Sequence, residues 1–429
     1  MSNRISVFTI ALSLTFVSPA HADLINLTTA PFTVSTSTVG DRTVTSTAGI
    51  EFGAISVGGN LNAAATTNIT QTGALVIGGA SNFAANGDVT LLQSNAFSGL
   101  LSLLVGSTGQ VNAGGNLTLN TSTVGNHLAI FADQDLTTTG ALTVGANAAL
   151  TAGRNLTLGN TTVGNNLAVM AGSALNVTGP VATGSNLSLT SGLGTTINGS
   201  VSAGTALTVT AGTTLNVSGA IASASGATMS AGNNVVVGST SVTGNVSING
   251  GDSVQITGPL SVSGNASVSG GQHIGLGGLS IGGSLYSTAL IDTTVSGTVA
   301  ANALALSTSA LIFDIFSPVS YGAFHIAGAA TFSDVTSVLF SFDGGYFGIA
   351  GDYFDFILAD TLTGLDEASF SVANLNPQLN YTITSTSDSL RLSLYTDNRV
   401  PEPMSLALIL FGLMALVISR SNHRYYLFK

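Results

Sequence analysis

The sequence predicts an all-β fold, a solenoid of stacked coils of about 20 residues each. Three observations predict it: a phrase recurring at nearly constant spacing, a second phrase out of phase with it, and an ungapped internal duplication. The first phrase is a small residue, a glycine, two variable residues and an alternating strand, as in Ala171-Gly172-Ser173-Ala174-Leu175-Asn176-Val177. It recurs from Ala211, Ala231, Gly250 and Gly270, with a degenerate copy from Ser191, so successive starts are 20, 20, 20, 19 and 20 residues apart. The second phrase, half a coil away, is Val57-Gly58-Gly59-Asn60-Leu61, with copies from Val124, Val163 and Thr183. Residues 113–151 align with 152–190 without gaps, and 20 of 39 positions are identical, so the larger unit is two coils.

In chain order, the first element is an export signal over residues 1–22. Arg4 is the positive n-region, Ile5 to Val17 the short apolar core, and Ala20-His21-Ala22 a small-x-small site for signal peptidase. Residues 23–49 follow as an N-terminal cap. The solenoid is assigned to residues 50–306, where there is room for roughly 13 coils, a rod of about 60 Å at roughly 4.8 Å per stacked strand. In residues 171–190, Leu175 and Val177 alternate with Asn176, and Leu187 and Leu189 with Ser188. Such short strands cannot bury their inner faces alone, and stacking closes the core.

At Ser307 the beat stops. Between 308 and 398 lie ten of the chain's 19 phenylalanines and ten of its 19 acids. Ser337–Phe342, Tyr353–Leu358 and Leu390–Tyr395 read as strands, and Gly344-Gly345 and Asn376-Pro377 as turns. Residues 307–399 are therefore expected to form a β-rich module that closes the open end of the rod.

The last element, 400–429, sets Pro401-Glu402-Pro403 before an apolar run, Met404 to Ile418, and a basic tail that includes Arg420. The run has 15 residues, about 22 Å as helix, which is short for a permanent membrane span. This arrangement resembles the PEP-CTERM sorting signal. The resemblance implies recognition of Pro401, Glu402, Pro403 and Arg420 by an exosortase, membrane contact through helix 404–418 before processing, and display at the surface or in the matrix of a bacterium with two membranes. A plain C-terminal anchor is the alternative.

Two further resemblances concern the body. Asn68-Ile69-Thr70-Gln71-Thr72-Gly73-Ala74-Leu75, then Gly78-Gly79 and Asp88-Val89-Thr90-Leu91, resemble the repeats of filamentous haemagglutinin-type adhesins. That likeness implies a right-handed parallel β-helix over about 50–306 and a role in adhesion or matrix binding. The strand-rich 307–399 resembles the β segment that ends autotransporter-like passengers.

Composition narrows the function. The 429 residues contain no cysteine and only 6% charged residues, against about 25% in ordinary domains. A disulfide framework or thiolate metal site is excluded. The net charge is −11, and between residues 23 and 402 four arginines face nineteen acids, a net of −15, which argues against nucleic acid as a partner.

Solenoids also carry polysaccharide lyases and glycoside hydrolases. A lyase needs a base and cations to neutralise a uronate, and residues 50–306 offer Arg154 alone, with Arg42 at the edge. A hydrolase needs two converging carboxylates. Asp133 and Asp135 are the close pair, and they read equally as an exposed turn. His127 and His273 stand isolated at turn-like positions, and Gly250-Gly251-Asp252 is a lone fragment of a calcium-repeat motif. Asp352, Asp355 and Asp360 form a loose acidic set that reads either as a hard-cation site or as solvated loop carboxylates. Asn-x-Ser/Thr triplets such as Asn116-Leu117-Thr118 follow from composition. Asn116, Asn155 and Asn234 sit in matching turn slots where amides stack between coils. No catalytic, cofactor or metal residue is assigned. The expected role is a non-catalytic adhesin or exopolysaccharide-matrix scaffold that binds extracellular polysaccharide or surface glycans through rows of hydroxyls. A β-helix carbohydrate-active enzyme and a ligand-free structural envelope protein are the alternatives.

Overall fold

The computed structural model describes residues 23–27, 31–396 and 405–422. The export signal with Ala20 and Ala22, the Pro401-Glu402-Pro403 motif and the side chain of Arg420 lie outside the described residues. The chain forms an all-β parallel solenoid of about 14 turns, roughly 20 residues each.

Each regular coil carries three strands, one more than the alternation in the sequence reveals. They are Leu175–Val177, Val181–Thr183 and Leu187–Ser191 in one coil. The middle strand turns apolar Ala182 outward and polar Thr183 inward, so no alternating pattern marks it. Leu175 pairs with Thr195, Val181 with Val201 and Leu187 with Leu207, each 20 residues on, and every strand is parallel to the one above. Three sheets therefore run along the rod, here called first, second and third in the order just given. Their inner residues share one core: Leu175, Val177, Val181, Leu187 and Leu189 are each 1% exposed or less. Burying a side chain of this kind stabilises by about 1.5–3 kcal/mol, which is how strands too short to stand alone persist in a stack.

The two glycine phrases mark two corners of the coil. Gly172 turns the chain from third sheet to first, and Gly164 from second to third. A Cβ on Gly172 would lie 2.1 Å from the carbonyl oxygen of Gly153, and one on Gly164 would lie 2.0 Å from that of Gly145. Each corner glycine is thus packed close on the backbone of the coil below, an approach that favours a residue without a Cβ, although Asp133 and Asn86 hold the matching corners two and four coils earlier. Strand spacing near 4.8 Å leaves no other room, so the repeat in the sequence is the imprint of stacked corners.

The stacking extends beyond the expected limits of 50 and 306. Asp23–Leu27 pairs in parallel with Arg42–Ser46, which pairs with Leu61–Ala65, so residues assigned to an N-terminal cap are already coil. The sequence places Arg42 as an edge cation. It occupies an inward position, is 2% exposed and donates from its guanidinium to the carbonyl of Thr36. At the other end the coils widen: Asp292 pairs with Ala310, Ala310 with Ser337 and Ser337 with Ser369, steps of 18, 27 and 32 residues. Longer coils enclose more space, and phenylalanines fill it. Phe340 and Phe356 have ring centroids 4.5 Å apart, and Phe313 and Phe356 4.9 Å. The parallel order ends where Ser389–Tyr395 runs antiparallel to both Tyr353–Leu358 and Asn380–Ser385. The aromatic composition of 307–399 thus marks wider coils, with a short antiparallel excursion at Ser320–Tyr321, and the antiparallel closure comes after them.

Two irregularities lie inside the rod. Val89–Phe97 is nine residues long, and its register shifts between Leu91 and Asn95. Leu279–Thr288 shifts register between Ile281 and Ser284 against Thr298–Ser307.

The helix expected over 404–418 runs Ser405–Asn422. Among the described residues no helix is long and apolar enough to cross a membrane. The apolar run ends at Ile418, and Ser419 to Asn422 add length without apolarity. A transmembrane helix over 404–418 is therefore not supported.

Candidate functional site

The rod presents long polar faces and few charges. Asp133 and Asp135 belong to a corner. Asn116 Oδ1 accepts the N–H of Asp135 at 3.1 Å, and Asp135 Oδ1 accepts the N–H of Asn155 at 3.1 Å and its Nδ2–H at 3.0 Å. Asn155 Oδ1 then accepts the N–H of Ala174 at 3.3 Å. Asn116 and Asn155 therefore do form a ladder, with Asp135 as the rung between them. Asn234 lies further along and accepts from Ser253 Oγ at 2.8 Å. Asp135 also faces Arg154 at 3.6 Å, an exposed pair of the kind that contributes about 0–1 kcal/mol. Its carboxylate is committed to the backbone of the next coil, while Asp133 is exposed.

The histidines have comparable places. His127 Nδ1 lies 3.4 Å from Asn147 Nδ2, at the foot of a ladder in which Asn147, Asn166 and Asn186 follow. His273 Nδ1 lies 2.8 Å from Asp292 Oδ2, its register partner one coil on. Among the described residues no three His, Asp or Glu side chains converge to hold a metal ion.

Near the C-terminal end the acidic set is split among separate partners. Asp352 accepts from the hydroxyl of Tyr346 and from the N–H of Ile349 at 2.8 Å. Burial and this carboxylate together push the Tyr346 hydroxyl well above its ordinary pKa, so it stays a donor. Asp355 takes a two-point contact from Arg391, Nε to Oδ1 at 2.5 Å and the terminal nitrogen to Oδ2 at 2.9 Å. The Arg391 guanidinium also lies 5.0 Å from the centre of the Tyr353 ring, and it is held charged above its ordinary range by Asp355. Asp360 is exposed. Asp314 differs from these. Burial first, and Asp343 second, raise its carboxyl pKa to about 6.

A shallow surface trough lies on the third sheet. Thr208, Thr228, Ser247 and Ser267 are register partners on successive coils, all facing outward, and the next position in the row is Tyr286. They line the trough, of about 410 Å³. Its edge follows the corner into the third sheet, where Ala206 and Gly226 give way to Asn245 and Asn265. Asn245 Oδ1 accepts the N–H of Asn265, and Asn265 Oδ1 that of Ser284, each at 2.8 Å. The sequence reading anticipated hydroxyl rows but missed Tyr286, because the outward row it terminates exists only once the coils are in register. A second trough, of about 630 Å³, crosses the N-terminal coils over Ala64, Ala84 and the exposed Leu104.

A family described as repeats of unknown function (DUF5649) matches residues 39–104, 106–162 and 224–280. The chain is similar to that repeat family. The three stretches cover less than half of the 429 residues, and each corresponds to about three coils. The break between the first two falls half a coil after the register shift at Asn95. No curated protein matches the chain.

Proposed function

We propose that this protein is an exported, surface-displayed solenoid that works without catalysis, as an adhesin or as a scaffold within an extracellular polysaccharide matrix. The observation that carries the proposal is the outward face of the third sheet, where hydroxyls repeat coil after coil with no charge between them. Such rows offer donors and acceptors at fixed intervals and bind through many weak contacts. A stack of some 14 turns supplies reach. The engagement of Asp135 in a corner ladder supports the non-catalytic reading over a carbohydrate-active enzyme, since a hydrolase needs two carboxylates converging on one bond.

Export belongs to the same proposal. Signal peptidase acts after Ala22, and an exosortase recognises Pro401, Glu402, Pro403 and Arg420. The apolar helix keeps membrane contact only until processing. Right-handed winding is part of the likeness to haemagglutinin-type repeats. Binding of the purified protein to a glycan array tests the proposal. Binding to polysaccharide glycans without turnover is expected, and release of products from them would overturn it. A ligand-free envelope protein would bind none.

A further inference from the structure

We infer that the trough between Ala206 and Tyr286 binds an extended, uncharged oligosaccharide, with the ring of Tyr286 as its stacking platform. This deepens the glycan-binding reading and rests on it. Tyr286 is 52% exposed although it stands in the middle of a stacked sheet. Its register partners are Ser267 on one side and Ala305 on the other, both too small to cover the ring. An aromatic face left open beside a row of hydroxyls suits a sugar ring, which presents C–H groups on its faces and hydroxyls around its rim.

The polar edge provides the matching donors. The carboxamide oxygens of Asn245 and Asn265 are occupied by the backbone of the following coil. Each side chain is exposed, which leaves its Nδ2 amino group to donate to a ligand. Thr228 and Ser247 act as donor or acceptor as required. No residue lining the trough is Asp, Glu, Lys or Arg. A uronate or a phosphorylated sugar would find no counter-charge there, and a basic ligand would find none either. The row from Thr208 to Tyr286 crosses four coil intervals, about 19 Å at roughly 4.8 Å each, so the occupant is several sugars long. The shallow shape suits lateral docking of a chain and not the enclosure of a monosaccharide.

The test is isothermal titration of the full-length protein with cellohexaose and laminarihexaose, with alginate as the charged comparison. Neutral hexasaccharide binding is expected, and alginate binding is not. Tyr286→Ala should weaken it about tenfold, roughly the loss of one good stacking contact. Tyr286→Phe should stay within about twofold, because the ring is kept. The double variant Asn245→Asp with Asn265→Asp preserves the acceptor oxygens of the ladder, a slot that Asp41 fills elsewhere toward Asn60, and it removes both amino donors. It should retain the wild-type melting temperature and lose sugar affinity. Thr162→Ala, exposed on the second sheet, should bind as wild type does. If the wild type binds sugar and the Tyr286→Ala and double variants bind equally well, the trough is the wrong place although the glycan reading stands. Binding to no neutral glycan overturns both. A shift in sedimentation of the unliganded protein on Tyr286→Ala would make the face a contact between copies of this chain, and would also overturn the inference.

Discussion

Gln71 and Asn95 exchange their side-chain amides: Gln71 Nε2 donates to Asn95 Oδ1 at 2.9 Å, and Asn95 Nδ2 to Gln71 Oε1 at 3.0 Å. Asn95 is fully buried, and it also accepts from the N–H of Leu75 and reaches the carbonyls of Gln93 and Asn112. It stands where the strand register shifts, so one side chain satisfies the backbone groups that the interrupted ladder leaves over. Removing it leaves several buried polar groups unpaired, each costing about 1–3 kcal/mol. Asn95→Ala should therefore destabilise by about 3 kcal/mol or more, and Gln71→Ala, on a half-buried residue, by about half as much. Urea unfolding followed by circular dichroism measures both. Equal, small effects would show that the shift needs no staple.

The corner glycines make a sharper prediction. A Cβ on Gly172 meets a backbone oxygen at 2.1 Å, whereas a Cβ on Gly115 meets nothing within 4 Å. Gly172→Ala crowds that oxygen and should cost about 1–3 kcal/mol, as overpacking does. Gly115→Ala, three coils earlier and in the slot that Arg154 and Ser173 fill in later coils, should fall within about 0.5 kcal/mol of wild type. Thermal melts of the two variants compare them directly. If Gly115→Ala is as damaging as Gly172→Ala, the close-approach explanation of the repeat fails.

Stability should fall with pH around Asp314. Its pKa is raised from 3.8 to about 6 in the folded chain, first by burial and then by Asp343. Between these values the folded state holds a proton that the unfolded state has released, so stability declines as pH rises through the window, and the penalty is complete above it. Asp314→Asn removes the penalty. The variant should melt higher than wild type at about pH 7.5 and converge with it near pH 4. A difference that does not change with pH would place the effect elsewhere.

The duplication offers a test of stacking itself. Excising residues 152–190 joins Thr151 to Ser191 and restores the phase of the repeat. Coils interact chiefly with their neighbours, so the shortened protein should fold and be shorter by about 10 Å, two strand spacings. Small-angle scattering measures the maximum dimension. Loss of fold would mean that these coils hold something beyond the repeat.

Much of this architecture was legible before any coordinates, and for a physical reason. Gly172 and Gly164 are favoured by contact between coils, and Leu175, Leu187 and Leu189 by burial, so both recur with the coil and print the period into the sequence. What remained hidden does not recur. Val181–Thr183 hides its alternation because Ala182 faces outward and Thr183 inward. Arg42 and Asn95 are single buried polar residues, whose burial depends on neighbours roughly a coil away. The boundary at 306 followed the change in composition, while the stacking continued to Ser369–Ala373 because larger coils packed with phenylalanine follow the same rule without the 20-residue beat. On the candidate site, the hydroxyl rows were visible and Tyr286 was not. Asp133 and Asp135 looked like a pair in the sequence, yet Asp135 is spent on the next coil's backbone.

The central claim is that the rod acts by being displayed and by holding surface or matrix polysaccharide. Its most direct test is a strain lacking the protein, compared with the same strain carrying it again, for attachment, aggregation and retained matrix. The account predicts loss of all three in the deletion and their recovery on complementation. A deletion strain that attaches, aggregates and retains its matrix as the parent does would contradict it.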